Sequence, residues 1–275
     1  MLAFRLIYAI GLCGTLLLSA NSISEHGKYV EYCGIASREL KEFANFKRNP
    51  IYRCILEHTT FQQGEEYLKV IEQSFPFLFQ YMEKFKSNDA IGNPVVYHYP
   101  KIGPISPTTL QYIKIAGDLR SKFGDLSKFH IIENGGGYGG QCKIIDDLGG
   151  FSSYTIIDLP NPLALTEKYL AAQQVSNVFF LNPDQLPVNP QYDLLISNYA
   201  FSEIDRSEQV EYLAKLIKKV SRGYMIINFI HKFFNIDALS LGDIVSILKQ
   251  DNINLSIESE IPPTGEGNVI LSWKP

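Results

Sequence analysis

The chain has 275 residues, of which 45% are hydrophobic and 20% charged, enough apolar material for a sizeable core and too much for a broadly disordered protein. The net charge of −4 argues against nucleic acid as the main partner, since such domains carry an obvious basic excess. The four cysteines, Cys13, Cys33, Cys54 and Cys142, form no C-x-x-C pair, so a zinc ribbon is not supported and a single Cys33–Cys54 bridge is the most that a disulfide reading allows.

Taken in chain order, Arg5 precedes an uncharged stretch from Leu6 to Ala20, followed by the small polar residues Asn21 and Ser22. This matches the apolar region of a secretory signal peptide, and it is short for a membrane span, which needs about 20 residues. Residues 1–22 are therefore expected to be a signal peptide or an N-terminal anchor associating the protein with a membrane, with a buried first helix as the other reading. Without such targeting the chain is cytoplasmic.

From Ile35 to about Lys86 the pattern is helical: Tyr67 and Leu68 are followed at three- and four-residue steps by Ile71, Phe75, Leu78 and Met82. Residues 88–107 then read as a long punctuated loop that carries Tyr97, His98 and Tyr99, so 23–105 is expected to form a helical subdomain with a loop on the acceptor side. Ser106-Pro107 reads as the N-cap and first residue of a helix running to about Phe123.

From Phe129 onward strands and helices alternate. Strands are expected at Phe129–Glu133, Tyr154–Asp158, Asn177–Leu181, Tyr192–Asn198 and Tyr224–Phe229, with helices at Tyr138–Leu148, Asn161–Gln173, Ser207–Val220 and Leu239–Gln250 between and after them. Asn254–Ile261 and Asn268–Trp273, joined by a proline-rich turn, read as a closing antiparallel hairpin. Residues 106–275 are thus expected to be one α/β domain, a mainly parallel sheet with helices on both faces.

The sharpest local feature is Glu133-Asn134-Gly135-Gly136-Gly137-Tyr138-Gly139-Gly140, placed between a strand and a helix. Glycine there lets a ligand approach the backbone closely. Glu133 with Gly135, Gly137 and Gly139 fits the E/D-x-G-x-G-x-G form of S-adenosylmethionine sites, and Gly135, Gly137 and Gly140 also fit the dinucleotide form G-x-G-x-x-G. Asp158, at the end of the next strand, can accept hydrogen bonds from both ribose hydroxyls of either kind of nucleoside. The Tyr-x-x-x-Lys pair that a short-chain dehydrogenase places downstream of its loop is missing, since Tyr97 and Lys101 lie upstream, and the closing hairpin is what a seven-stranded methyltransferase sheet adds.

Several blocks together resemble the bacterial sugar O-methyltransferase family: Asn49-Pro50-Ile51-Tyr52-Arg53, Ile105-Ser106-Pro107-Thr108-Thr109-Leu110, Gly135 to Gln141, Tyr154 to Pro160, Ile196 to Glu203, and Glu260-Ile261-Pro262-x-Thr264-Gly265. The likeness spans roughly residues 45–275 and implies a Rossmann-like class I methyltransferase fold, S-adenosyl-L-methionine as cofactor and a carbohydrate hydroxyl as acceptor. Asn134 departs from it, standing where an apolar residue is expected.

Ligands of open α/β sheets bind beyond the carboxyl ends of the strands. That places Asn198 beside the donor's amino acid part and Gln141, at a helix start, near its carboxylate. Tyr97, Tyr99 and Tyr199 are expected to meet the acceptor, provided the 88–107 loop folds over the sheet edge; the alternative is a connector whose rings pack on the helical subdomain. A sugar hydroxyl needs a base, for which Glu203, His231 and His98 are candidates, each histidine being equally readable as a structural or surface imidazole. Thr108 and Thr109 either close over the donor or simply cap their helix. No cluster has metal-ligand spacing, so no metal is expected. Two other readings remain: a non-catalytic S-adenosylmethionine-fold binding protein and an NAD(P)-dependent reductase.

Overall fold

The computed structural model describes residues 28–187 and 190–275, so the apolar leader lies outside the described residues. Among the described residues no helix is long and apolar enough to cross a membrane. Two helices, α1 (Tyr29–Arg38) and α2 (Phe61–Ser74), dominate the N-terminal part, linked by the short helical turns Leu40–Phe43 and Pro50–Arg53. A capping box opens α2: the Thr60 side chain accepts from the Gln63 amide while Gln63 reaches back to the Thr60 backbone. The stripe formed by Tyr67, Leu68, Ile71 and Phe75 is buried against the next long helix, α3 (Pro107–Phe123).

Ser106 caps α3 as expected, accepting from the Thr109 amide at 3.1 Å. Asp89 fastens the same turn to the helices before it. Its carboxylate accepts from the Ser106 amide (2.6 Å), the Ser106 hydroxyl (2.8 Å) and the Thr109 hydroxyl (2.7 Å). The Thr109 hydroxyl also accepts from Asn88 Nδ2 at 2.7 Å.

The 88–107 segment begins against the glycine loop, where Asn88 Nδ2 donates to the Tyr138 hydroxyl at 3.0 Å. It contains a two-stranded antiparallel hairpin, β1 (Tyr97–Tyr99) and β2 (Gly103–Ile105), turning through Lys101 at φ 70°. Alternation along β1 turns both tyrosines toward α2 and His98 to the opposite face, because strand side chains alternate. Tyr99 is fully buried, stacks on Phe61 at 5.1 Å and donates its hydroxyl to the Phe61 carbonyl at 3.2 Å. The ring lies so close to α2 that a Cβ at Gly64 would stand 2.0 Å from the Tyr99 hydroxyl. Tyr97 packs on the same Phe61 at 5.4 Å, and His98 is exposed opposite Pro104.

Beyond α3 the chain forms β3 (His130–Asn134), α4 (Gly140–Leu148), β4 (Ser153–Ile157), α5 (Pro160–Ala172), β5 (Val178–Leu181) and β6 (Leu194–Asn198). Then come α6 (Arg206–Lys215), β7 (Gly223–Ile227), α7 (Leu241–Gln250), β8 (Leu255–Ser259) and β9 (Val269–Trp273). The seven strands run in the order β5-β4-β3-β6-β7-β9-β8. The first five are parallel, while β9 is antiparallel to both β7 and β8. The helix expected to reach Val220 ends earlier, at Lys215, because Leu216 leaves helical backbone angles, and a short tight turn at Ile217–Lys219 completes it.

Both sheet faces are covered. Ile131, Tyr154, Ile196 and Tyr224 pack with Cys142, Leu165 and Tyr169 on one side. Ile132, Leu195, Met225 and Leu271 pack with Tyr212, Leu216, Ile244 and Leu248 on the other. Cys33 is buried in the first of these clusters and Cys54 lies in the turn after Arg53; no disulfide joins them. Because the run Leu6–Ala20 carries no polar face, a chain that starts at Ser24 is expected to keep its melting temperature and its ligand binding. Insolubility of that chain on purification would make the leader part of the core.

Candidate active site at the carboxyl edge of the sheet

The strand order reverses between β3 and β6: the chain proceeds to β4 on one side of β3 and returns to β6 on the other. Such a switch point leaves a crevice beyond the carboxyl ends of the two strands. Glu133 and Asn134 end β3, Asn198 ends β6, and the glycine loop rises between them. Gly135, Gly137 and Gly139 all have positive φ (76°, 57° and 90°), conformations that residues with a Cβ rarely adopt. A side chain at Gly135 would also collide with Ala200, whose Cβ would be 2.2 Å away. The loop is held by the Gly135 amide donating to Ile157 O (2.8 Å) and by the Thr166 hydroxyl donating to Gly137 O (2.5 Å).

The polar groups around this loop are incompletely paired. Glu133 is buried, accepts from the Tyr154 hydroxyl at 2.9 Å, and is otherwise approached only by Asn198 Nδ2 at 3.5 Å. Burial raises its pKa to about 8, against the hydrogen bond from Tyr154 and helped by the charge of Asp158. Gln141 donates to Tyr112 O at 3.3 Å, but its Oε1 is buried without a partner among the described residues. The same is true of Asn198 Oδ1 and of Asn134 Nδ2. Asp158, one residue past β4, accepts from the Leu159 amide at 2.8 Å, and burial pushes its pKa up to about 6 against backbone hydrogen bonds from Leu159 and Gly137.

The opposite wall comes from the N-terminal segment. A Cβ on Gly137 would lie 3.0 Å from Leu56 Cδ1, and Tyr29 and Cys33 of α1 are electrostatic neighbours of Asp158. Lys47 is fully buried over the ring of Tyr138, 4.1 Å from its centroid, and donates to the Asn88 carbonyl. Burial lowers the proton affinity of Lys47 and raises that of its neighbour Glu57, while each holds the other's charge. Tyr138 is thereby anchored, and with it the glycine loop.

Beyond β6 lie the candidate chemical groups. Tyr199 has φ 71°, and its hydroxyl donates to Glu260 while accepting from Gln111 Nε2 (3.0 Å) and Thr264 Oγ1 (3.2 Å). The single Thr264 proton is shared between Tyr199 and Glu260, which is nearer at 2.7 Å, so the Tyr199 hydroxyl is held chiefly by Glu260 and Gln111. Glu203 ends the turn Ala200–Glu203 and accepts from Asn228 Nδ2. Burial raises its pKa, opposed by that bond. His231 is buried in the turn Ile230–Phe234, which touches the turn of Glu203.

The fold thus puts Glu133, Gly135, Gly137, Gly139, Gln141, Asp158 and Asn198 at the carboxyl ends of β3, β4 and β6, with Tyr199, Glu203 and His231 in the turns that follow β6 and β7. Tyr97 and Tyr99 pack on Phe61 at the start of α2, as in the alternative reading, while His98 is exposed on the other face of the hairpin. Thr109 is spent on the Asp89 lock. Glu260 and Gln111 join the site through tertiary contacts that no local pattern marks. Asn228 carries a sequence signal, since a polar residue at the end of an apolar strand is the pattern that marks Asp158 and Asn198. Among the described residues no group of three His, Cys, Asp or Glu side chains is arranged to hold a metal ion.

The strand order, with its antiparallel strand inserted next to the last, is that of the class I methyltransferase fold. The sequence matches no protein-family model and no curated protein. Similar solved structures include an S-adenosylmethionine-dependent methyltransferase from Mesorhizobium loti, 14% identical over 57% of this chain and 96% of that one, TM-score 0.46. Another is an O-methyltransferase family protein from Burkholderia thailandensis, 14% identical over 77% of this chain and 71% of that one, TM-score 0.47. A third is a SAM-dependent methyltransferase from Aquifex aeolicus, 15% identical over 57% of this chain and 88% of that one, TM-score 0.44.

Proposed function

We propose that this protein is an S-adenosylmethionine-dependent methyltransferase whose acceptor is a sugar hydroxyl of a glycan or its precursor. The observation behind the donor is the set of unpaired buried atoms around the glycine loop. Buried polar groups left without partners cost about 1–3 kcal/mol each, and Gln141 Oε1 and Asn198 Oδ1 are two of them beside the glycine loop. A nucleoside bearing an amino acid arm offers ammonium donors to the two oxygens. Glu133 beside them becomes ionised once a cationic group stands against it, and Asp158 has lone pairs left for ribose hydroxyls.

The donor, when bound, supplies an activated methyl group on a sulfonium. The chain's own task is to orient the acceptor and remove its proton, and positioning alone can contribute about 7–11 kcal/mol. Glu203 is the base in this reading: it stands just past β6, is aimed by Asn228, and burial raises its proton affinity toward what a base at neutral pH needs. The ring of Tyr199 offers an apolar face for the C–H side of a sugar. The sugar itself is supported by the family resemblance of the blocks at 49–53, 105–110 and 260–265.

The deciding experiment is melting with S-adenosylhomocysteine against NAD, followed by transfer of labelled methyl to neutral glycans with mass spectrometry for one added methylene. Stabilisation by NAD alone would replace the donor reading with a reductase. Glu203→Gln is expected to lower turnover by at least roughly tenfold with donor affinity nearly unchanged. His98→Ala, on the exposed face of the hairpin, is expected to leave turnover untouched. Full turnover in Glu203→Gln would move the base to His231.

A further inference from the structure

One buried hydroxyl beside the glycine loop has no use in the fold. Tyr52, in the turn Pro50–Arg53, is fully buried, and its hydroxyl has no hydrogen-bond partner among the described residues. A phenylalanine would fill the same space without the cost of an unpaired polar atom. The ring is fixed by aromatic neighbours: Phe46 edge-on at 5.0 Å, Tyr29 at 5.5 Å and Tyr138 of the glycine loop at 6.5 Å.

The place of that hydroxyl relative to the donor site follows from its neighbours. Tyr29 and Cys33 of α1 interact electrostatically with Tyr52 and also with Asp158. Tyr112 and Tyr138 are neighbours of Tyr52 as well, and Tyr112 is in turn a neighbour of Glu133. Four residues further along, Leu56 covers Gly137. The turn that carries Tyr52 is therefore part of the wall facing the glycine loop and the ribose carboxylate.

We propose that Tyr52 is a donor-binding residue, its hydroxyl bonding the ribose from the side opposite Asp158. This rests on the donor reading above. A phenol both donates and accepts, so it can take the oxygen of a ribose hydroxyl that already donates to Asp158. Packing on three rings fixes the phenol in place.

Tyr52→Phe removes a single oxygen and tests this directly. Calorimetry is done on the full chain with two probes: S-adenosylhomocysteine, and methylthioadenosine, which keeps the ribose and adenine but lacks the amino acid arm. The dissociation constants of both are expected to rise together by roughly threefold to tenfold, the effect of one neutral hydrogen bond. The empty variant should melt at the same or a higher temperature, since an unpaired hydroxyl has been removed. Unchanged affinity for both probes overturns the proposal, and a loss confined to S-adenosylhomocysteine overturns the ribose assignment. Weaker binding with a lowered melting temperature makes Tyr52 a packing residue. Wild-type protein that binds neither probe overturns the donor reading and this proposal with it, and so separates the two failures.

Discussion

Asp158→Ala is expected to raise the dissociation constant of S-adenosylhomocysteine by at least roughly a hundredfold while the empty protein still folds. Two ribose hydrogen bonds to a charged acceptor are lost, each worth about 1.5–3 kcal/mol, and every 1.4 kcal/mol is tenfold in affinity. The fold should survive because the protein bonds made by Asp158 are local backbone contacts, from Leu159 at 2.8 Å and from Gly137. The carboxylate must be ionised to accept from ribose. Burial has pushed its pKa up to about 6, so donor affinity should weaken as pH falls through that value. Calorimetry at pH 7.5 and pH 5 measures both effects. Wild-type affinity in the variant would place the ribose elsewhere in the crevice.

Much of this crevice can be read in advance because its parts are local in sequence. The glycine loop sits between one strand and its helix, and Asp158 ends the next strand, so strand–turn–helix alternation alone brings them to one edge. Ser106-Pro107 announces α3 for the same reason, since a cap acts within one turn. Element ends shift by a residue or two, as β3 does in running from His130 to Asn134.

What could not be read depends on tertiary pairing. The hairpin strands β1 and β2 are three residues each and carry Pro100 in their turn and Gly103 and Pro104 within β2, which read as punctuation. The hairpin is held by tertiary contacts, Tyr99 against Gly64 and both tyrosines on Phe61. Tyr199 lies beside the crevice as expected, but its hydroxyl is tied to Glu260, 61 residues later, and to Gln111, 88 residues earlier. No local pattern links such partners. The block at 260–265 stood out through resemblance alone; the structure gives it a task, since Glu260 also accepts from the Thr264 amide (2.9 Å) and Asn268 Nδ2 (2.9 Å). The closing turn is thereby fastened to the residue following β6.

Glu133 should make the stability of the empty protein depend on pH in a direction unusual for a carboxylate. Most carboxylates are stabilised in their ionised form by folding, but this one is buried, with a tyrosine hydroxyl as its one close partner. The groups facing it are Tyr154 and Asp158 from β4, Tyr112 from α3, Cys142 from α4 and Asn198 from β6, none of them cationic. Burial raises its pKa from 4.5 to about 8, so the folded chain holds this proton more tightly than the unfolded chain does. The resulting stability is fully present below about pH 4.5 and is lost as pH rises through about 8, to a total on the order of a few kcal/mol. Glu57, Asp146, Asp158 and Glu203 are shifted in the same direction and add to the slope, so the wild-type profile alone does not isolate Glu133. The difference from Glu133→Gln does. The variant should melt higher than wild type at pH 8.5, and the gap should close toward pH 5. It should also bind S-adenosylmethionine more weakly, because it cannot supply negative charge to a cationic ligand. Parallel melting profiles for the two proteins from pH 5 to pH 8.5 would mean that Glu133 is already ionised in the empty crevice.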